Sequence, residues 1–114
     1  MKTEETLVWL KSKDLVILVY KLFKDNKDYG FKDQIQRAAV SIMNNIAEGI
    51  DRKGNKELER FLYISKGSCG EVKSMLFLAL EFKYINQIDF QKAIDYCNEV
   101  SRMLGGFIKS ISSH

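Results

Sequence analysis

The sequence has no proline and only seven glycines in 114 residues. It therefore lacks the residues that punctuate sandwiches, barrels and other turn-rich folds, and its abundance of Leu, Ile, Lys and Glu tips the balance towards helix. Cysteine is scarce too. Cys69 and Cys97 have no third or fourth partner, which excludes a disulfide framework or a thiolate metal site and leaves two buried reduced thiols as the expectation. The single histidine is His114. Without another the Glu-x-x-His pairs of di-iron bundles are absent, and no Ser-His-Asp arrangement is expected around a terminal residue. No Gly-rich loop is followed by Lys and Ser or Thr to cradle a phosphate. The longest apolar run, Leu15 to Tyr20, is six residues, far short of the roughly 20 that span a bilayer. The opening MKTEETLVWLKSKD has neither the apolar core nor the cleavage site of a signal peptide. These absences lead us to expect a soluble cytoplasmic protein with no membrane partner, no metal, no cofactor and no catalytic residues.

What is present is helical periodicity. With 46% hydrophobic residues, the chain can bury about two thirds of its unfolded surface as one domain spanning residues 1–114. Four stretches repeat apolar residues three and four apart. In the first, about Thr6 to Lys27, the residues Val8, Ser12, Leu15, Val19, Leu22 and Phe23 fall on one side. Trp9, Leu10, Ile17 and Tyr20 lie elsewhere around that helix, so part of it should face a further element or subunit. Asp25 to Gly30 form a turn, with Gly30 placed to stop the helix in a left-handed conformation. The second helix, about Lys32 to Asp51, repeats Ile35, Ala38, Ala39, Ile42, Ile46 and Gly49, small enough in places for close approach. Asn55, after the turn RKGN, is the expected cap of a third helix over about Lys56 to Phe82. Asp89 is the expected cap of a fourth, carrying Phe90, Ala93, Ile94, Cys97, Val100, Leu104, Ile108 and Ile111. Gly105 and Gly106 are expected to loosen its last turns, and Ser112 to His114 to fray. Short connections imply antiparallel neighbours. The fold class is all-α, an up-down-up-down antiparallel four-helix bundle.

Two features exceed what such a core requires. At 100° per residue, Arg37, Ser41, Asn44, Glu48 and Arg52 share the side of the second helix opposite its apolar stripe, with Asn45 at the edge. Ser and Asn are poor helix formers that need a specific hydrogen bond to justify a mid-helix position. Arg37, Ser41, Asn44, Asn45 and Glu48 are therefore read as a polar seam between helices or subunits. Drawing Glu48 with Arg37 and Asn45 as an acid site requires more assumptions. The third helix carries Gly67 and Gly70 opposite its core side, each costing about 1 kcal/mol relative to Ala. Either they pack closely inside the bundle or they lie at a subunit seam.

Between Arg52 and Lys73 the basic residues Arg52, Lys53, Lys56, Arg60, Lys66 and Lys73 outnumber Glu57, Glu59 and Glu71 by three, which equals the whole net charge of +3. The plainest reading is a solvated helix face. The sharper one makes these six the contacts to RNA or DNA, in a field that oligomerisation multiplies. Binding would be independent of sequence, since nothing suggests a recognition helix or an aromatic stacking platform.

The order W-x-x-S-x-D-L-V (Trp9 to Val16), Q-I-x-R-A-A-V-S-I-x-x-N-I-A-E-G (Gln34 to Gly49) and F-L-Y-I-S-x-G-S-x-x-E (Phe61 to Glu71) closely resembles one bacterial family. Its members are four-helix bundles first noticed as products of intervening sequences in large-subunit ribosomal RNA genes and often labelled S23 ribosomal proteins. The resemblance implies a homopentameric ring without known catalytic activity. The chain is also similar to the accessory variability protein of diversity-generating retroelements, whose basic pentamer binds a reverse transcriptase and nucleic acid. That similarity implies the alternative function, a protein-interaction scaffold or accessory subunit for a larger enzyme such as a reverse transcriptase. Met43 stands where many relatives have proline, which predicts a straighter second helix, and Ser65 where Ala is usual.

Overall fold

Four amphipathic stretches become four helices, α1 Leu7–Phe23, α2 Tyr29–Asp51, α3 Asn55–Glu81 and α4 Gln87–Ser112, in a computed structural model that describes residues 2, 3 and 6–112. Each helix packs antiparallel on its neighbours in the order α1, α2, α3, α4 and back to α1, with no packing across the diagonals. The result is an up-down-up-down four-helix bundle of 45 × 21 × 20 Å. The period of the apolar residues dictates the core. Leu15, Val19, Ile35, Ile42, Ile46, Leu62, Val72, Leu76, Val100 and Leu104 have no exposed surface.

Two hydroxyls enter this apolar interior and both are bonded. Ser12 donates to the Val8 carbonyl on its own helix at 2.7 Å, and Ser65 donates across to the Ile42 carbonyl of α2 at 2.7 Å. Among the described residues no buried side-chain nitrogen or oxygen lacks a partner. Ser65 thus ties α3 to α2 at a position where Ala would only fill space. Below it, Gly49 sets the separation of the same two helices. A Cβ there would stand 3.0 Å from the Phe61 Cβ and 3.1 Å from Leu58 Cδ1, so the backbones meet only because a side chain is missing.

Several helix ends differ from the sequence reading. Gly30 lies inside α2, which starts earlier because Asp28 caps it, its Oδ1 accepting from the Phe31 amide at 3.2 Å. Asn55 is the first residue of α3 rather than its cap. Gly54 holds that position at φ 92°, a conformation that selects glycine over the amide side chain. Asn86 caps α4, its Oδ1 accepting from the Asp89 amide at 2.7 Å, which puts Asp89 one turn inside. Lys83 ends α3 at φ 62°, with the Tyr84 amide reaching back to the Ala79 carbonyl at 2.8 Å, the bonding that left-handed glycine usually provides. Gly105 and Gly106 interrupt nothing, since α4 runs unbroken to Ser112. The fraying expected at Ser113 and His114 lies outside the described residues. Met43 sits in an α2 that is continuous from Tyr29 to Asp51.

The α1–α2 and α3–α4 turns close one end of the bundle with rings. Phe31 lies 5.7 Å from Phe23, 6.5 Å from Phe82 and 5.3 Å from Tyr84 between centroids. Above them the Tyr84 hydroxyl donates to Asp28 Oδ2 at 2.6 Å. That bond holds the Asp28 carboxyl below its ordinary 3.8, aided by the Phe31 amide, and holds the Tyr84 phenol above its ordinary 10.0. The Asp28 contribution is therefore complete above pH 3.8 and is lost as pH falls through the depressed folded value. The Tyr84 contribution is complete below pH 10.0 and is lost as pH rises through the elevated one. Replacing Tyr84 with Phe is expected to lower the middle of a thermal-unfolding pH profile, where the bond contributes in full, and to flatten both limbs.

Glycine substitutions separate packing from helix propensity. Gly49→Ala gains about 1 kcal/mol of propensity but overpacks the contact with Phe61 and Leu58, for a net loss of up to about 2 kcal/mol. Gly106, with nothing near its absent Cβ, should gain about 0.5–1 kcal/mol as Ala. Urea unfolding of the two variants should shift in opposite directions.

Candidate nucleic-acid interface

The six expected cations do not converge. Arg52 and Arg60 meet at the α2–α3 turn, their guanidinium carbons 5.2 and 4.6 Å from the Phe61 ring centroid. Each also has a carboxylate, Glu48 at 2.6 Å from Arg52 and Glu57 at 3.2 Å from Arg60. Lys53 and Lys56 stand exposed on the same turn. Counted from Glu48 to Arg60, these four cations are matched by four acids (Glu48, Asp51, Glu57, Glu59). The basic excess of this end disappears once the end of α2 is included.

Lys66 and Lys73 lie on another side of α3, facing α4. Lys73 donates to Asn98 Oδ1 at 2.8 Å, and the Lys66 ammonium passes 3.7 Å from where a Gly105 Cβ would be. These contacts fix the register of the two helices. On α4, Arg102 and Lys109 share the side that bears Asn98 and Gly105. Four cations, two per helix, therefore border the α3–α4 groove, about 10.5 Å apart along each helix at 1.5 Å per residue. Among the described residues no carboxylate pairs with Lys66, Lys73 or Arg102. At one end the groove widens to about 460 Å³ lined by Tyr63, Lys66, Gly105, Ile108, Lys109 and Ser112. The Ser112 hydroxyl is already engaged with Glu59 at 3.1 Å and the Ile108 carbonyl at 2.6 Å.

Arg102, Lys109 and Tyr63 were not singled out in the sequence. The available signal was spacing, because Arg102 and Lys109 are seven residues apart, as are Lys66 and Lys73. It acquires meaning only when the helix register is known. Tyr63 is 55% exposed, and it makes no hydrogen bond or ring contact with a described residue.

The polar stripe on α2 divides in the same way. Ser41 and Ser68 share a hydrogen bond at 2.9 Å between α2 and α3, and Asn45 donates to the Ser41 carbonyl at 2.8 Å and to its hydroxyl at 3.0 Å. These residues sit between helices of one chain. Arg37 instead pairs outward with Asp33 at 2.8 Å, and Glu48 with Arg52, exposed pairs worth about 1 kcal/mol or less. Asn44 is exposed and bonds to no described residue. With Tyr20, Arg37, Val40, Ser41 and Asn45 it lines a second hollow of about 460 Å³.

Internal packing does not account for Gly67 and Gly70, because nothing lies within 4 Å of a Cβ at either position. They form a flat outward strip on α3, near the exposed Ile64 and Leu78. An apolar hollow of about 620 Å³ opens on a different side, between α1 and α2, lined by Val16, Ile17, Tyr20, Val40 and the stems of Lys21 and Lys24.

Little here supports chemistry. Cys69 and Cys97 are buried free thiols, Cys69 donating to the Cys97 carbonyl at 3.2 Å. The hydrogen bond with Cys69 and then burial push the Cys97 thiol far above its ordinary 9.0, so it stays protonated and poorly nucleophilic. Among the described residues no three His, Cys, Asp or Glu side chains gather to hold a metal ion, and no helix is long and apolar enough to cross a membrane.

No curated protein matches the chain. A solved structure from Bacteroides thetaiotaomicron VPI-5482, described as a protein with unknown function from the S23 ribosomal protein family, superposes with a TM-score of 0.85. The alignment covers 90% of this chain and 99% of that one at 23% identity, a likeness that shows the fold. The family model described as 23S rRNA-intervening sequence protein matches residues 4–106. The chain belongs to the 23S rRNA-intervening sequence protein family.

Proposed function

We propose that this protein is a non-enzymatic oligomeric bundle that binds RNA or DNA weakly and without sequence preference. The observation carrying this reading is the set of four cations bordering the α3–α4 groove, of which Lys66, Lys73 and Arg102 have no described carboxylate partner. With the two walls marked at about 10.5 Å intervals, Lys66, Lys73 and Arg102 can each meet a phosphate of a strand lying between them. The α2–α3 turn is secondary, since Arg52 and Arg60 are already paired and only Lys53 and Lys56 are available there.

The oligomer is a homopentameric ring in this proposal. Two unlike apolar surfaces support it, the α1–α2 hollow and the flat strip of α3 at Ile64, Gly67 and Leu78. A contact between unlike patches runs head to tail and closes into a ring when the rotation permits. Exposed mid-helix glycines also gain a purpose if another copy's side chains lie against them. Five copies at +3 each carry +15, a field that one bundle lacks. The same α1–α2 hollow could instead receive a large protein partner such as a reverse transcriptase, in which case the protein is an accessory subunit. Co-purification of one such partner with a monomeric bundle would favour that alternative.

Two measurements test the proposal. Titration of labelled structured RNA and duplex DNA should show binding that weakens about 40-fold between 50 and 200 mM salt, as expected for roughly three neutralised phosphates. Changing both Lys66 and Lys73 to Glu should lower affinity at least about 10-fold, whereas Arg52→Ala should change it little. Absence of binding near physiological salt refutes the reading. Light scattering should report a multiple of the chain mass, reduced by Gly67→Leu without loss of helix content; a wild-type monomer refutes the ring.

A further inference from the structure

The widened end of the α3–α4 groove differs from the rest of it. Here an exposed aromatic ring without a ring partner joins the cations, and Ser112, bonded to Glu59, lies at its edge. The exposed phenylalanines have ring partners, Phe77 against Phe90 and Phe82 against Phe31 and Tyr84, whereas the exposed Tyr20, Tyr29 and Tyr63 stack on no other ring among the described residues, and of these three only Tyr63 lies in this hollow. Tyr63 stands 55% exposed and lines the same hollow as Lys66. The floor between them is Gly105, an interior position of α4 where glycine costs about 1 kcal/mol relative to Ala. A Cβ there would lie 3.7 Å from the Lys66 ammonium, so a larger side chain would enter the hollow beside it. Tyr63 and Lys66 lean to the α4 side of α3, while Ile64, Gly67 and Leu78 lean to the α2 side.

A ring with a free face, an ammonium one helical turn away and a floor without a side chain match the two halves of a nucleotide. We infer that the hollow bordered by Tyr63, Lys66, Gly105 and Lys109 receives an unpaired nucleoside phosphate unit, its base laid on the Tyr63 ring and its phosphate beside Lys66. A duplex cannot present such a unit, because its bases already stack on one another. The occupant is either an unpaired nucleotide within a strand or a free nucleoside monophosphate. The first source rests on the nucleic-acid reading above; the second does not.

The test uses the full chain with three probes: a labelled single strand of about ten nucleotides, a duplex of the same sequence, and adenosine monophosphate. Wild-type protein should prefer the single strand. Tyr63→Leu should weaken single-strand binding about 10-fold, the loss expected for one stacked base, and leave duplex binding unchanged. Tyr63→Trp should restore it, which a merely structural role for the ring would not predict. Gly105→Leu, by filling the floor, should weaken the single strand as Tyr63→Leu does. Equal affinity of wild type and Tyr63→Leu for the single strand overturns the hollow as a base site and leaves the groove reading standing. If only adenosine monophosphate binds, and Tyr63→Leu abolishes it, the hollow stands as a free-nucleotide site and the nucleic-acid reading falls. If none of the three probes binds, both fall.

Discussion

The approach of α2 to α3 at Gly49 constrains everything else in this bundle. With Phe61 and Leu58 atoms only 3.0 and 3.1 Å from where a Cβ would be, α2 and α3 meet at a fixed distance, and the Ser65 hydroxyl on the Ile42 carbonyl fixes their offset. Apolar burial alone would tolerate sliding, because Leu, Ile and Val are interchangeable at this level of contact. A missing side chain and a buried directional bond are far less tolerant. Once that pair is set, α3 presents Lys73 to Asn98 and Cys69 to the Cys97 carbonyl, so α4 has one register.

The surface follows from the same geometry. Charges that the sequence presents as one run, Arg52 to Lys73, are distributed by the helix period to two unrelated places, a turn where acids offset them and a groove where α4 adds to them. Polar residues that appeared as one stripe on α2 are likewise split, Ser41 and Asn45 inward to Ser68 and Arg37, Asn44 and Glu48 outward. Net charge is the same in either description. What differs is whether neighbouring side chains cancel it.

The core was legible because burial obeys a period that any observer can count. Val8, Ser12, Leu15, Val19 and Phe23 of α1, and Ile35, Ala38, Ala39, Ile42, Ile46 and Gly49 of α2, are buried as the spacing required. Helix ends were less legible because several residues compete for each cap. Asn55 lost to Gly54, whose backbone could take a positive φ, and Asp89 lost to Asn86, three residues earlier. The groove was hardest to foresee. Arg102 and Lys109 lie some 30 to 40 positions from the cations they join, and only the pairing of α3 with α4 brings them there. Gly67 and Gly70 were recognised as unusual from propensity alone, but only their open surroundings exclude an internal explanation.

The two walls of the α3–α4 groove behave like a pair of rulers marked at the same seven-residue interval. In the observed alignment the marks bracket a common channel. Slipping one ruler by a helical turn, about 5.4 Å, would carry the marks past one another and close Gly105 away from Lys66, while leaving composition, helix content and total charge untouched. Whatever attraction this groove exerts on an anion is thus a property of alignment, present in the native bundle and dispersed in any looser helical state of the same chain.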